Sequence, residues 1–161
     1  NLAFGKPRFL HEEAGYNFRM GSLQAALGLS QLKKVNSFIK KKIKVANLYF
    51  KYLSNINEIQ LPYKNYRYFN VYWMFGIMLK DGSRKKRDNL MKYLGNRNIG
   101  TRTFFCPLTL QPFLKKKGVL KKISCKVSEK MWKNGLYLPS GNNLRESEIR
   151  RVSLEIKKFF N

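Results

Sequence analysis

A helical apolar pattern between residues 22 and 54 constrains the fold of this chain more than any other feature. Apolar side chains recur every three or four residues from Leu32 to Leu53, and most lysines of the segment fall on the other side. This spacing predicts one long amphipathic helix whose apolar stripe rests on a core. Residues 23–29 are apolar on nearly all faces, which predicts that the first turns are buried inside the protein or at an interface.

The rest of the chain alternates short strand patterns with helical patterns. Strands are predicted at residues 59–62, 71–79, 99–105 and 136–138, helices at 87–96, 127–134 and 144–160, and one helical turn at 110–114. Residues 71–79 are β-branched and aromatic, so Trp73 and Phe75 are assigned to the core. Ser128 is a candidate N-cap for the helix at 127–134. The pattern predicts an α+β fold, a small and mostly antiparallel sheet covered by helices.

The chain is predicted to divide at residue 57. Residues 1–57 form an arm and a long connecting helix, and residues 58–161 form a small C-terminal α+β domain. The arm, residues 1–19, is rich in aromatic side chains and is punctuated by Gly5, Pro7 and Gly15. Such an arm needs a larger surface to lie on than a small domain offers, which indicates a further domain or a second subunit.

The charge of the chain raises the possibility of a nucleic-acid-binding module. Lys and Arg total 33 against 9 Asp and Glu, a formal net charge of +24. The lysine runs, such as residues 40–42, alternate with apolar positions and are typical of solvated faces. The aromatic residues fall in apolar strands and not among the basic runs, where base stacking would need them. The pattern therefore argues against nucleic acid as a partner, and this module is kept as the alternative.

The composition of the chain excludes several other kinds of site. The chain has two cysteines and one histidine, so a disulfide scaffold and any site that needs two imidazoles are excluded. No metal site is predicted. No apolar run approaches the roughly 20 residues that cross a bilayer, and the predicted location is cytoplasmic.

Asn17 and Arg19 lie just before the predicted start of the long helix. A helix start leaves backbone N–H groups unpaired and carries partial positive charge, which suits an anion such as phosphate. The residues alone leave two interpretations open. Either Asn17 and Arg19 flank an anion site, or Asn17 shapes a turn and Arg19 points into water.

Four blocks follow one another in the order of a known enzyme family. They are residues 9–32, with Gly-Tyr-Asn-Phe-Arg at 15–19; residues 71–77, Val-Tyr-Trp-Met-Phe-Gly-Ile; residues 100–108, followed by Gln111 and Pro112; and residues 135–141, Gly-Leu-Tyr-Leu-Pro-Ser-Gly. These blocks resemble the DegT-type nucleotide-sugar aminotransferases, and most of all their perosamine-synthase branch. The resemblance implies the C-terminal region of a fold-type I transferase, an α/β enzyme whose N-terminal large domain is absent from this chain.

The resemblance implies a transaminase that uses pyridoxal 5'-phosphate. Its activity would be transfer of an amino group, from glutamate, to a keto-deoxy sugar linked to a nucleotide. The lysine that forms the Schiff base, and the acidic residue that pairs with the pyridine nitrogen, would lie upstream. No catalytic residue is therefore assigned within the chain, and the fragment alone is expected to be inactive.

The resemblance also implies a homodimer with shared active sites. Asn17 matches the asparagine that reaches across the dimer to the cofactor phosphate of the partner, and Arg19 matches an arginine of the same shared site. Both are therefore predicted to bind the cofactor.

Four further residues are predicted on the substrate side: Tyr16, Arg102, Phe104 and Thr109. Arg102 can pair with a diphosphate in a bidentate way, or it can cap a strand end. Thr109 stands where the branch commonly carries histidine. A threonine donates a hydrogen bond but cannot carry charge or relay a proton, which leaves a catalytically inactive homologue as a further alternative.

Overall fold

The computed structural model describes residues 16, 18, 20–81, 83–112, 114 and 123–161. The chain divides into two compact units, Asn1–Asn36 and Ser37–Asn161. This division comes earlier than the domain boundary predicted after residue 57, because the helical segment that ends at Leu53 packs into the core of the second unit through Val45, Ala46, Tyr49 and Leu53.

The first unit contains α1, Ser22–Leu32. It begins after Gly21, whose backbone N–H donates to Gln24 Oε1 at 2.8 Å. Every residue of α1 is exposed within this chain; Leu23 is 77% exposed and Leu32 is 65% exposed. The described residues of this chain therefore do not bury α1. Its burial at an interface remains a prediction.

The prediction of one continuous helix over residues 22–54 is wrong. A turn at residues 33–34 separates α1 from α2, Val35–Leu53. Lys34 N donates to Gln31 O at 3.0 Å, three residues back, so the last turn of α1 tightens as in a 3₁₀ helix. One tightened turn hardly disturbs an apolar repeat of three or four residues, which is why the sequence pattern does not reveal it.

A four-stranded sheet forms the centre of the second unit. Its strands are β1 (Ile59–Gln60), β2 (Phe75–Leu79), β3 (Arg102–Thr103) and β4 (Gly135–Leu138), in the spatial order β1-β2-β4-β3. Every described strand pair is antiparallel, with Phe75 opposite Leu138 and Arg102 opposite Tyr137. This confirms the predicted antiparallel sheet.

Three strands are shorter than the sequence predicts, and the first of them, predicted over 59–62, ends at Gln60. The strand predicted over 71–79 begins only at Phe75, because Tyr72 has a φ of 49° and its N–H donates to Asn70 Oδ1 at 2.8 Å. A bulky residue with positive φ does not continue a strand. The strand predicted over 99–105 is reduced to Arg102–Thr103.

Three further helices have bounds that the structure describes in full, and they agree with the sequence pattern except at their ends. They are α3 (Arg84–Gly95), α4 (Lys126–Asn134) and α5 (Glu146–Phe160), with a 3₁₀ turn at Leu108–Leu110. The α3 helix starts earlier than predicted because Ser83 Oγ caps it, accepting from Lys86 N at 3.1 Å. Ser128 is not a cap, since Cys125 occupies the N-cap position of α4.

One face of the sheet is covered by helices. Phe75, Ile77 and Leu79 of β2 are buried there with side chains of α2, α3 and α5, which confirms the helix-covered sheet. Tyr49 of α2 is fully buried and donates through its Oη to Pro139 O at 2.7 Å, and burial raises the pKa of this phenol. Trp73 is 66% exposed, so its assignment to the core is wrong.

Glu155 on α5 lies within a cluster of hydrogen bonds and ion pairs. Arg97 Nε lies 2.9 Å from Glu155 Oε2, and Tyr93 Oη donates to the same oxygen at 3.1 Å. Lys158 Nζ donates to the other carboxylate oxygen at 2.9 Å. The hydrogen bond from Lys158 is the main reason that the pKa of Glu155 lies below its usual value, with Tyr93 and Arg97 adding to the effect.

Glu155→Gln should make the chain less stable at neutral pH but not in acid. Because the folded-state pKa is lowered, the carboxylate stabilises the fold fully above the ordinary glutamate pKa of about 4.3, and this contribution is lost as pH falls through the folded-state pKa. Urea midpoints of wild type and variant should therefore converge on acidification. Glu58→Gln, at an exposed glutamate, is the control. A wild-type advantage that stays constant with pH would contradict this assignment.

Candidate functional site

A cavity of about 440 Å³ lies at the end of the sheet where β2 and β3 begin and β4 ends. Lys42 of α2, Trp73, Arg102 and Ser140 are among the residues that line it. Two of its described lining residues are cationic and none is acidic. The volume falls in the range of small-molecule sites, and the charge suits an anionic ligand.

Lys42 connects the elements around this cavity. Its Nζ donates to Trp73 O at 3.0 Å and to Ser140 O, so α2 is tied to the chain before β2 and after β4. Partial burial lowers the pKa of the Lys42 ammonium. The assignment of residues 40–42 to a solvated face is wrong for Lys42. Lys42 follows Ile39 by three residues and precedes Ala46 by four, which places it beside the apolar stripe. This spacing is the sequence signal from which its partial burial could have been predicted.

Arg102 is the predicted substrate residue that the structure places in the cavity. It is exposed and starts β3, opposite Tyr137 of β4. A guanidinium in this position has its planar donors available to a ligand, as bidentate recognition of a diphosphate requires.

Phe104 has a packing role that the sequence did not indicate. Its ring lies over Gly76 and Gly135 on the sheet face opposite the core, where a Cβ at either glycine would come within 2.6 Å of it. It also packs on Tyr137, with ring centroids 4.4 Å apart. Phe104 lines a separate groove of about 600 Å³ and does not line the cavity that contains Arg102.

The other predicted residues lie elsewhere. Thr109 belongs to the 3₁₀ turn, and within the described part of the chain its buried Oγ1 has no hydrogen-bond partner. Tyr16, in the first unit, is 85% exposed and stacks on Phe18 with centroids 5.5 Å apart. Asn17 and Arg19 lie outside the described residues.

Neither a metal site nor a membrane span is found in the described part of the chain. No cluster of three or more potential metal ligands is found there. Over the same residues, no helix is long and apolar enough to cross a bilayer.

The loop before β2 exposes aromatic side chains next to cations. Tyr66 is 90% exposed and Phe69 is 77% exposed, and the Arg67 guanidinium carbon lies 5.5 Å from the centroid of the Tyr66 ring. The loop predicted over 63–70 is confirmed, since the structure shows no helix or strand there. The prediction that aromatic residues are kept apart from basic residues is wrong for this loop, which lies outside the strand.

Comparison with known proteins gives a consistent result. The model of the DegT/DnrJ/EryC1/StrS aminotransferase family matches residues 2–157. The GDP-perosamine synthase of Vibrio cholerae is 31% identical over 154 residues, which cover 96% of this chain and 41% of the relative. The GDP-perosamine synthase of Escherichia coli O157:H7 is 28% identical over 153 residues, covering 95% and 40%. The chain thus spans about two fifths of the length of these relatives.

Solved structures share the fold. S. venezuelae DesV, solved in complex with a ketimine intermediate, superposes with a TM-score of 0.84 at 24% identity, over 99% of this chain and 42% of that protein. Helicobacter pylori PseC, an aminotransferase involved in the biosynthesis of pseudoaminic acid, gives a TM-score of 0.82 at 21% identity, over 97% and 42%. At these identities the similarity establishes the fold alone.

Proposed function

We propose that this chain, which belongs to the DegT/DnrJ/EryC1/StrS aminotransferase family, is the C-terminal part of a sugar aminotransferase. The whole enzyme transfers an amino group, from glutamate, to a keto-deoxy sugar linked to a nucleotide. The observation that carries this proposal is the family match over residues 2–157. The two GDP-perosamine synthases, each similar over at least 95% of the chain, favour a perosamine-type product and GDP as the nucleotide.

The proposed cofactor is pyridoxal 5'-phosphate, which supplies an electron sink when it is bound. Asn17 and Arg19 are the residues of this chain that would hold its phosphate. An amide donor and a guanidinium suit a phosphate, and in the sequence both come shortly before α1, whose first backbone N–H groups would add to the attraction. The catalytic lysine belongs to a large domain outside residues 1–161.

The proposed assembly is a cytoplasmic homodimer in which each active site receives residues 15–19 from the neighbouring subunit. The exposure of α1 supports a covering partner, because Leu23, Leu27, Leu29 and Leu32 are each more than half exposed in this chain. A helix with apolar residues on nearly all faces is stable when other protein surfaces cover it.

The test is an amination assay on the enzyme encoded by the complete coding sequence. With glutamate, cofactor and a GDP-linked keto-deoxy sugar, we expect formation of 2-oxoglutarate and the amino sugar. Asn17→Ala should raise the cofactor concentration needed for half activity at least about tenfold, since a charge-assisted hydrogen bond to phosphate contributes roughly 1.5–3 kcal/mol. Asn143→Ala, at an exposed turn, should leave it unchanged.

Two results would contradict the proposal. One is a complete coding sequence without a lysine-bearing domain upstream of residue 1. The other is a folded, cofactor-loaded protein that aminates no nucleotide sugar, the result that the inactive-homologue alternative predicts.

A second candidate function, binding of single-stranded nucleic acid, is favoured by the loop that presents Tyr66 and Phe69 beside Arg67, together with the net charge of +24. Such binding would weaken steeply with salt and would decrease on replacing both aromatic residues with alanine. An oligonucleotide affinity that neither change affects would exclude it.

A further inference from the structure

The junction between α4 and β4 contains the single Asn-Gly dipeptide of the chain, Asn134–Gly135. The backbone nitrogen of Gly135 is one bond-forming step away from the side-chain carbonyl carbon of Asn134, and a glycine leaves this approach open because it has no side chain. When that bond forms, ammonia leaves and a cyclic succinimide results. Water then opens the ring and leaves aspartate or isoaspartate at position 134. The dipeptide thus has the chemistry of a deamidation site.

The structure prevents this reaction in the native chain. Asn134 is the last residue of α4, and the Gly135 N–H donates to Met131 O at the end of that helix, so the attacking nitrogen is engaged. Asn134 is also only 1% exposed, which keeps out the water that the second step needs. Attack on the Asn134 side chain therefore requires the end of α4 to open.

Contacts from three other segments hold this junction closed. Arg87 of α3 donates from Nη1 to Trp132 O at 2.9 Å and to Gly135 O at 3.4 Å. Gly135 also pairs with Met78 in the ladder between β2 and β4, and its carbonyl accepts from Phe104 N at 3.4 Å. Because these partners lie in separate parts of the second unit, opening the junction disrupts packing throughout that unit.

We propose that Asn134–Gly135 is a deamidation site that the native fold keeps closed, and that its reaction permanently marks a chain that has unfolded. Asn134 Oδ1 is buried and has no hydrogen-bond partner in the described part of the chain. An aspartate there would bury a carboxylate without a donor for this oxygen, which is costly. An isoaspartate would lengthen the backbone between α4 and β4, whose positions the contacts above determine. Either product therefore opposes a return to the native fold.

Peptide mapping by mass spectrometry tests the closed state. The 161-residue chain is incubated at mildly alkaline pH in buffer and in denaturing guanidinium chloride, and deamidation at Asn134 is followed with time. The reaction in buffer should be at least about a hundredfold slower than in denaturant, because it proceeds only through a small open population. Arg87→Ala should accelerate it in buffer at least about tenfold, since it removes buried hydrogen bonds, and should leave the rate in denaturant unchanged.

An exposed Asn-Gly pair in the same chain is the matched control. Asn57 and Glu58 are both exposed, and among the hydrogen bonds of the described residues none has the Glu58 N–H as donor. Glu58→Gly places a glycine after Asn57. This pair should react at similar rates in buffer and in denaturant, because nothing in the fold engages its nitrogen.

Equal rates at Asn134 in buffer and in denaturant would overturn the proposal, and so would equal protection of the exposed control pair. This comparison uses the wild-type junction, so it does not depend on whether Arg87→Ala folds. Asn134→Asp reproduces one product without the reaction and should lower the midpoint of denaturation. An Asn134→Asp variant as stable as wild type would show that modified chains return to the native fold, which the proposal forbids.

Discussion

Replacing Gly135 with alanine is expected to lower the free energy of unfolding by about 3 kcal/mol, at the upper end of the cost of overpacking. The new Cβ would lie 2.5 Å from the backbone oxygen of Met131 and 2.6 Å from the Phe104 ring. Gly135 N donates to that same oxygen at the end of α4, so this oxygen cannot move away without breaking the cap. The measurement is urea denaturation followed by circular dichroism.

The cost at Gly135 is steric and not conformational, since its φ is −94°. Gly95→Ala is the matched control, because nothing lies within 4 Å of the added Cβ and the position is the last residue of α3. It should stabilise the chain by up to about 1 kcal/mol. A similar stability of the two variants would contradict the close approach between α4, β4 and Phe104.

Arg87→Ala is expected to destabilise the fold by about 3 kcal/mol, as removal of buried charge-assisted hydrogen bonds typically does. Arg87 is 2% exposed, and its guanidinium donates to Trp132 O at 2.9 Å and to Gly135 O at 3.4 Å. It thereby links α3 to the end of α4 and the start of β4. Its Nε also donates to Asp88 Oδ1 at 2.6 Å.

Arg84→Ala is the control for Arg87. Arg84 lies in the same helix and its Nε approaches the same aspartate at 3.7 Å, but its side chain is 60% exposed. Its loss should change the free energy of unfolding by no more than about 1 kcal/mol, as for other exposed ion pairs. If both variants lose the same stability, the buried hydrogen bonds of Arg87 contribute little to the fold.

Local sequence patterns correctly predicted burial where the environment of a side chain depends on its neighbours along the chain. The apolar repeat of α2 predicted Tyr49 and Leu53 on the buried side, and the β-branched and aromatic composition of residues 71–79 predicted Phe75 in the core. Helix and strand ends were less predictable, because Ser83, Cys125 and Tyr72 set them through individual hydrogen bonds and backbone angles.

The cavity could be predicted only in part. Arg102 was identified through the resemblance, and the structure places it in the lining. Lys42 and Trp73 were assigned to other environments, since a lysine run and a strand-like segment give no sign of contacts with residues far along the chain. Lys42 meets Trp73 and Ser140 across separations of 31 and 98 residues.

The sequence by itself identified the family through its four matching blocks. Residue order and periodicity predicted the α+β class and the sides of α2 and α5 that face the core. Only the tertiary structure decided which charged and aromatic side chains share a surface. Pairing β4 between β2 and β3 brings Trp73, Arg102 and Ser140 to one end of the sheet. That proximity arises from the sheet topology, which no local pattern encodes.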